Sequence, residues 1–398
     1  MRNKLLCGAV LLVSSLMPGA QVSTPSSAMS LLQDAAQAMT AGKLTRAETD
    51  LQTVLRTSPD DYRALDLLGV VRVLQRRDVE AEPLFRRAVQ KNADFAPAHA
   101  HLGLLYFQKG RADDAVPQLR EALRLDSARI DALDALVQIL RDESKTAAAA
   151  GDSGRSLALL REARNYAPDN PDVQFEFGTI ALRLSLWQDA IAAFQQTLKL
   201  RQSDPVALYS LGRAFLGEWK FEDARQQFAR YVEARPNDAS GHCALGMTLA
   251  ALERTQEAQE QFERSIALAP EQTESYFRLG LIELNMKDLD EAANNFRQVL
   301  THDPKHAGSL SGLGRVAFEQ KRYSDAIDLL QRALAIDDSS REAHYYLGLT
   351  FVRVGRKEEA DRQMEIATRL EHDEAQHRRT ALRIQDGDDV DRNSDPKE

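Results

Sequence analysis

The 398-residue chain carries a formal net charge of -9 from 51 basic and 60 acidic side chains. The two signs intermix instead of forming blocks, which argues against nucleic acid as a partner. Aromatics are scarce while Ala, Leu, Arg, Glu and Gln abound, the composition of helix, because those residues lose little rotamer freedom in one. The length suits two or three ordinary domains or one long array.

At the N-terminus, Arg2 and Lys4 precede an apolar run over 5–17 that is too short to span a bilayer. It reads as a secretory signal peptide over 1–28, cut after residue 20 or residue 28, and the protein is expected in the periplasm or secreted. The alternative is an uncleaved N-terminal membrane anchor, the one route by which membrane contact is expected. Cys7 leaves with a cleaved signal and Cys243 stays alone, so no internal disulfide is expected.

From there the chain repeats itself. Glycines recur at Gly69, Gly103, Gly178, Gly212, Gly246, Gly280, Gly314 and Gly348. Alanines follow twelve residues later, from Ala81 and Ala115 to Ala326 and Ala360. Each step is 34 residues apart from one of 75 between Gly103 and Gly178, which holds a unit of 34 and a unit lengthened to 41. In the longer unit Val137 takes the glycine position and Ser156 the alanine position. Leu208, Leu211, Gly212 and Phe215 form one helical stripe; Ala224, Phe228 and Tyr231 form a second. Asp204-Pro205 and Asn170-Pro171 read as helix starts. Each unit is predicted to be two antiparallel helices brought close by the glycine on one and the alanine on the other.

The extra seven residues fall in 141–154 (RDESKTAAAAGDSG). They are close to two helical turns and should lengthen a first helix by ~10 Å without changing its phase. The outcome is a protruding hairpin, either a contact point or an inert extension. Residues 375–384 are expected as a capping helix and 385–398 as an acidic disordered tail.

The pattern of a large residue, Leu-Gly, a large residue, Ala, Phe and then Pro resembles the tetratricopeptide repeat (TPR). The resemblance covers 29–374 as ten repeats, the fourth being 130–170. It implies an all-α, right-handed superhelical solenoid of helix-turn-helix repeats.

Little in the sequence points to chemistry. His99, His242 and His344 share one repeat position and read as packing residues; His302 and His306 flank a turn in no strong metal-binding pattern. No phosphate loop, zinc cluster or nucleophile elbow is present. No catalytic residue, metal or small-molecule cofactor is therefore expected.

Positions beside the glycines are more informative. Three residues before it stand Phe175, Tyr209, Cys243, Phe277, Ser311 and Tyr345; one after it stand Thr179, Arg213, Met247, Leu281, Arg315 and Leu349. In proteins similar to this one, that stripe lines a concave groove which binds extended peptides or partner helices. The resemblance thus implies a partner-binding face of aromatics with interleaved Arg213, Arg278 and Arg315. Rings packed between repeats would look the same in sequence. Asp66, Asp131 and Asp134 would make the N-terminal part of the stripe acidic. The lysine and asparagine clamp of chaperone-docking family members is absent: the pairs read Asp66 and Val70, Ala100 and Leu104, Tyr209 and Arg213. The function expected is a non-enzymatic scaffold for a protein or peptide, or else an accessory subunit of an envelope enzyme complex.

Overall fold

Helices fill the chain in pairs. The structure, a computed structural model, describes residues 26–392, with side chains described over 27–376. Among the described residues there are twenty helices and no strand. Two compact units divide the chain, residues 1–202 and 203–398.

The first unit holds α1 (Ser26–Thr40) with α2 (Leu44–Thr57), α3 (Tyr62–Leu74) with α4 (Asp78–Lys91), and α5 (Ala96–Gln108) with α6 (Ala112–Leu125). The lengthened pair follows, α7 (Ile130–Ala149) with α8 (Ser153–Tyr166), and then α9 (Pro171–Arg183) with α10 (Trp187–Leu200). The second unit holds α11 (Pro205–Gly217) with α12 (Phe221–Ala234), α13 (Ala239–Ala251) with α14 (Thr255–Leu268), and α15 (Thr273–Met286) with α16 (Leu289–His302). It ends with α17 (Ala307–Glu319) paired to α18 (Tyr323–Ile336), and α19 (Arg341–Arg353) to α20 (Lys357–Arg392).

The two helices of a pair start differently. Several first helices open on a side-chain cap: the Asp204 carboxylate accepts from the backbone N–H groups of Val206 and Ala207, and Asn170 does the same for Asp172 and Val173. Each satisfies donors that the first turn of a helix leaves unpaired. The second helices open from a tight turn with one left-handed residue. That residue is Gly42, Gly110, Gly151 or Gly355 in four pairs and Arg76, Ser185, Trp219, Glu253, Lys287 or Lys321 in the other six, with φ from 56° to 83°. Glycine adopts this conformation freely, whereas the other six are strained by their Cβ.

Inside the glycine-bearing pairs a large side chain comes nearest to the glycine, while the glycine-to-alanine approach the sequence suggested shows at Gly348, where a Cβ would lie 3.4 Å from the Ala360 carbonyl oxygen. A Cβ built on Gly178, Gly212 or Gly246 would lie 2.8 Å from the ring of Phe194, Phe228 or Phe262. On Gly103 and Gly314 it would lie 2.7 and 2.6 Å from the Cγ of Leu119 and Leu330. Each glycine therefore receives the large side chain sixteen residues on, one turn beyond the alanine. Phe194, Phe228, Phe262 and Phe296 are fully buried there, as are the alanines Ala190, Ala224, Ala258 and Ala292. Each buried ring contributes roughly 1.5–3 kcal/mol.

The seven extra residues lengthen α7 to 20 residues where α5 and α9 have 13. Ser156, fully buried in the alanine position, has its hydroxyl 2.7 Å from that of Ser144 in the added turns.

At the end of the chain, α20 runs from Lys357 to Arg392 in one piece. It takes in the separate capping helix expected over 375–384 and most of the expected tail. No proline follows Ala360 until Pro396, so nothing breaks it as Pro236 follows α12. Residues 393–398 lie outside the described residues, as does the expected signal segment up to residue 25. Ala28 is already buried within α1, so a cut after residue 20 leaves that helix whole. Among the described residues no helix is long and apolar enough to cross a membrane.

Candidate partner-binding face

In the second unit the two stripes on the first helices behave differently. Tyr209 on α11 is half-buried, with ring centroids 5.4 Å from Phe228 and 5.1 Å from Tyr231, both on α12. Burial raises the Tyr209 pKa. Burial, with the bond it donates to Asp238, pushes Tyr231 up to about 12. Phe277 on α15 meets Phe296 and, at 4.8 Å, the imidazole of His306. It also sits on Gly308 of α17, where a Cβ would come within 2.8 Å of its Cζ. Cys243 and Ser311 are buried. Of this stripe Tyr345 alone is exposed, at 42%, with no helix pair following α20 among the described residues to cover it. The ring positions thus pack mostly against the second helix of their own pair, and Phe277 also reaches the next repeat.

In the second unit, side chains one residue past each glycine stay at least partly accessible, unlike Val70 and Leu104 of the first unit, which are buried. Arg213 is exposed and forms no ion pair among the described residues. Met247, Leu281 and Leu349 are half-buried. Arg315 reaches Glu342 at 2.9 Å and Asn285 at 3.1 Å, with its guanidinium 5.2 Å above the Tyr346 ring. Arg278 lies off this stripe and bonds Glu274, one turn earlier, at 2.7 Å. Such a face offers apolar contact and one unpaired cation, a combination suited to a peptide or protein surface.

In the first unit Phe175 is half-buried against Phe194 at 5.7 Å, and Thr179 is exposed with its hydroxyl bonded back to the Phe175 carbonyl. The expected acidic stretch is largely absent. Asp66 is 2% exposed, with Oδ1 2.8 Å from His101 Nδ1, and Asp131 is buried against Arg129 at 2.9 Å. A carboxylate taken out of water needs such a partner. Asp134 alone is exposed, its pKa raised by desolvation and by Asp131.

The histidines keep a single structural role. His99, His242 and His344 each place Nδ1 near a glutamine of the second helix (Gln118, Gln261, Gln363) and Nε2 near a backbone carbonyl six residues earlier. His306 caps α17 by accepting from the Ser309 N–H. Sequence reading passed over Trp219, 74% exposed at the turn before α12 and edge-on to Phe221. A turn position carries no periodic signal to mark it.

Models of the tetratricopeptide repeat match residues 283–349 and, from a second model, 35–97, 80–130, 141–205, 175–239 and 243–293. Over 140 residues the chain is 32% identical to cellulose synthase 2 operon protein C of Komagataeibacter xylinus, a stretch covering 35% of this chain and 10% of that protein. Over 150 residues it is 31% identical to superkiller complex protein 3 of Mus musculus, covering 36% and 9%. It therefore spans about a tenth of the length of these curated relatives. Among solved structures it is similar to YrrB, a TPR protein with an unusual peptide-binding site, at 23% identity over 46% of this chain and 95% of that one, TM-score 0.40. It is also similar to MamA from Desulfovibrio magneticus RS-1, at 23% identity over 43% and 97%, TM-score 0.41.

Proposed function

Because the chain belongs to the tetratricopeptide repeat family, we propose that it is a non-enzymatic scaffold in a bacterial envelope. It holds a peptide segment or partner protein against the first-helix face of its second unit. The observation that carries this reading is the accessible stripe one residue past the glycines, with unpaired Arg213 at one end and exposed Tyr345 beside Leu349 at the other. Arginine and tyrosine are common anchors of interfaces. The envelope assignment rests on Arg2, Lys4 and the apolar run after them.

A second reading is an accessory subunit of an envelope enzyme complex, such as one for polysaccharide synthesis or export. What favours it is the similarity to an operon protein named for cellulose synthase.

Tyr209 and Phe277 are poor positions for a test, since both rings pack between helices. Photo-crosslinking residues at Arg213 and at Tyr345, in cells, should capture the same partner. Arg213→Glu with Tyr345→Ala should weaken that partner's binding at least tenfold, about 1.4 kcal/mol, with an unchanged far-UV spectrum. Undiminished binding would remove the face from consideration. A membrane synthase among the captured proteins selects the second reading; soluble or peptide clients select the first.

A further inference from the structure

The added turns of α7 do more than protrude. The other first helices have 13 to 15 residues, whereas α7 continues for seven residues past the position equivalent to Gln108, the last residue of α5. Its overhang and the α5–α6 turn enclose a cleft of about 390 Å³, within the range of small-ligand sites. The floor is apolar: Phe107 is half-buried, and Ile139 and Ala147 are buried. Asp142, Glu143 and Asp152 stand around it.

Asp152 caps α8 by accepting from the Arg155 N–H at 2.8 Å, whereas Asp142 and Glu143 have weaker compensation. Glu143 forms no ion pair among the described residues, and its basic neighbour Arg120 is held by both oxygens of Glu162 at 2.7 Å. Asp142 accepts from Gln138 Nε2 at 2.9 Å and has Lys145 at 4.0 Å, which lies nearer to Glu176, at 3.3 Å. Arg155 also lines the cleft, leaving an excess of negative charge.

We propose that this cleft is a second binding site, apart from the first-helix face, and that it takes an arginine side chain from an exposed peptide segment of a partner. An arginine lays its aliphatic stem along apolar surface and keeps its charged head at a polar rim. Its planar guanidinium also stacks on aromatic rings. This chain does so itself, with Arg111 4.3 Å from the Tyr106 ring centroid and Arg164 4.1 Å from that of Phe177. Phe107 supplies the ring in the cleft, and Asp142 and Glu143 supply the carboxylates.

The probe is a fluorescein-labelled heptapeptide, Gly-Ser-Leu-Xaa-Leu-Ser-Gly, with arginine, norleucine or glutamate at the centre, titrated against the full chain by anisotropy. The arginine peptide should bind at least tenfold tighter than the norleucine one. Asp142→Asn with Glu143→Gln should lower its affinity at least fivefold and leave norleucine binding unchanged. Deleting 143–149 together with Ser156→Ala restores the 34-residue period and should abolish the arginine preference. Equal binding of arginine and norleucine peptides overturns the proposal, as does a preference for arginine that survives either variant. Tighter binding of the glutamate peptide would make Arg155 the recognition group and also overturns it. So does self-association of the chain that the deletion removes, because the occupant would then be a second copy.

Discussion

On α15 the Glu283 carboxylate is only 9% exposed and accepts from Asn295 Nδ2 at 2.7 Å. Desolvation holds its pKa above the ordinary glutamate value of about 4.5, and Glu291, Asp288 and Glu263 add to the rise while Asn295 opposes it. The folded chain therefore binds this proton more tightly than the unfolded one. Its stabilising contribution is complete below about 4.5 and is lost as the pH rises through the folded value. Glu283→Gln keeps an acceptor for Asn295 and removes the charge. The variant should gain stability over the wild type as pH increases from 4 to 8, followed by urea denaturation across that range. A difference that stays constant with pH would mean Glu283 does not titrate in that window. Sequence could not flag this residue, because a glutamate on a helix looks like any other until its neighbours are placed.

At the scale of elements, the recurring unit is a pair of helices and the turn inside it. Six of those turns hold a non-glycine residue at positive φ, a strain of about 1–2 kcal/mol each. Glu253→Gly removes the Cβ at an exposed turn, and the added freedom of the unfolded chain takes back roughly half of the gain. A net stabilisation of about 0.5–1 kcal/mol is expected, read as a higher Tm; a lower Tm would show that the turn is not strained. Pairing, period and the two-turn extension of α7 were all legible in the glycine spacing and in the extra residues of 141–154. The glycine's true partner was legible too: Phe85, Phe194, Phe228, Phe262 and Phe296 each lie sixteen residues after a glycine. The alanine period drew attention because it is less variable than the mix of Phe, Leu and Met at the other position. On the candidate face, sequence could not separate Tyr209 and Phe277, which pack, from Arg213 and Tyr345, which reach solvent. That distinction depends on what the paired helix and the next repeat place opposite each ring.

At the scale of the whole molecule, each repeat leans on its neighbours within its own unit, so local damage there spreads by nearest-neighbour coupling. Gly246→Ala would press a methyl to within 2.8 Å of the buried Phe262 ring. Overpacking of this kind costs about 1–3 kcal/mol, against about 1 kcal/mol gained in helix propensity. Hydrogen exchange should show lost protection in α13 and α14 and in the pairs on either side, with α2 to α6 of the first unit unaffected. Gly348→Ala is the control: the nearest atom is Met364 Cγ at 3.1 Å, on a flexible side chain that can yield, so protection should hold or improve. Equal loss in both variants would show that the aromatic seat does not set the spacing.

The left-handed turn residues fall at 42, 76 and 110, then at 151, and from there every 34 residues to 355. Ordinary units are therefore interchangeable in length, and duplicating or dropping one would leave the rest in step. The fourth unit is the exception. Because no other first helix among the described residues is lengthened this way, it marks one fixed address in the series, and the copy number on either side could change without erasing it.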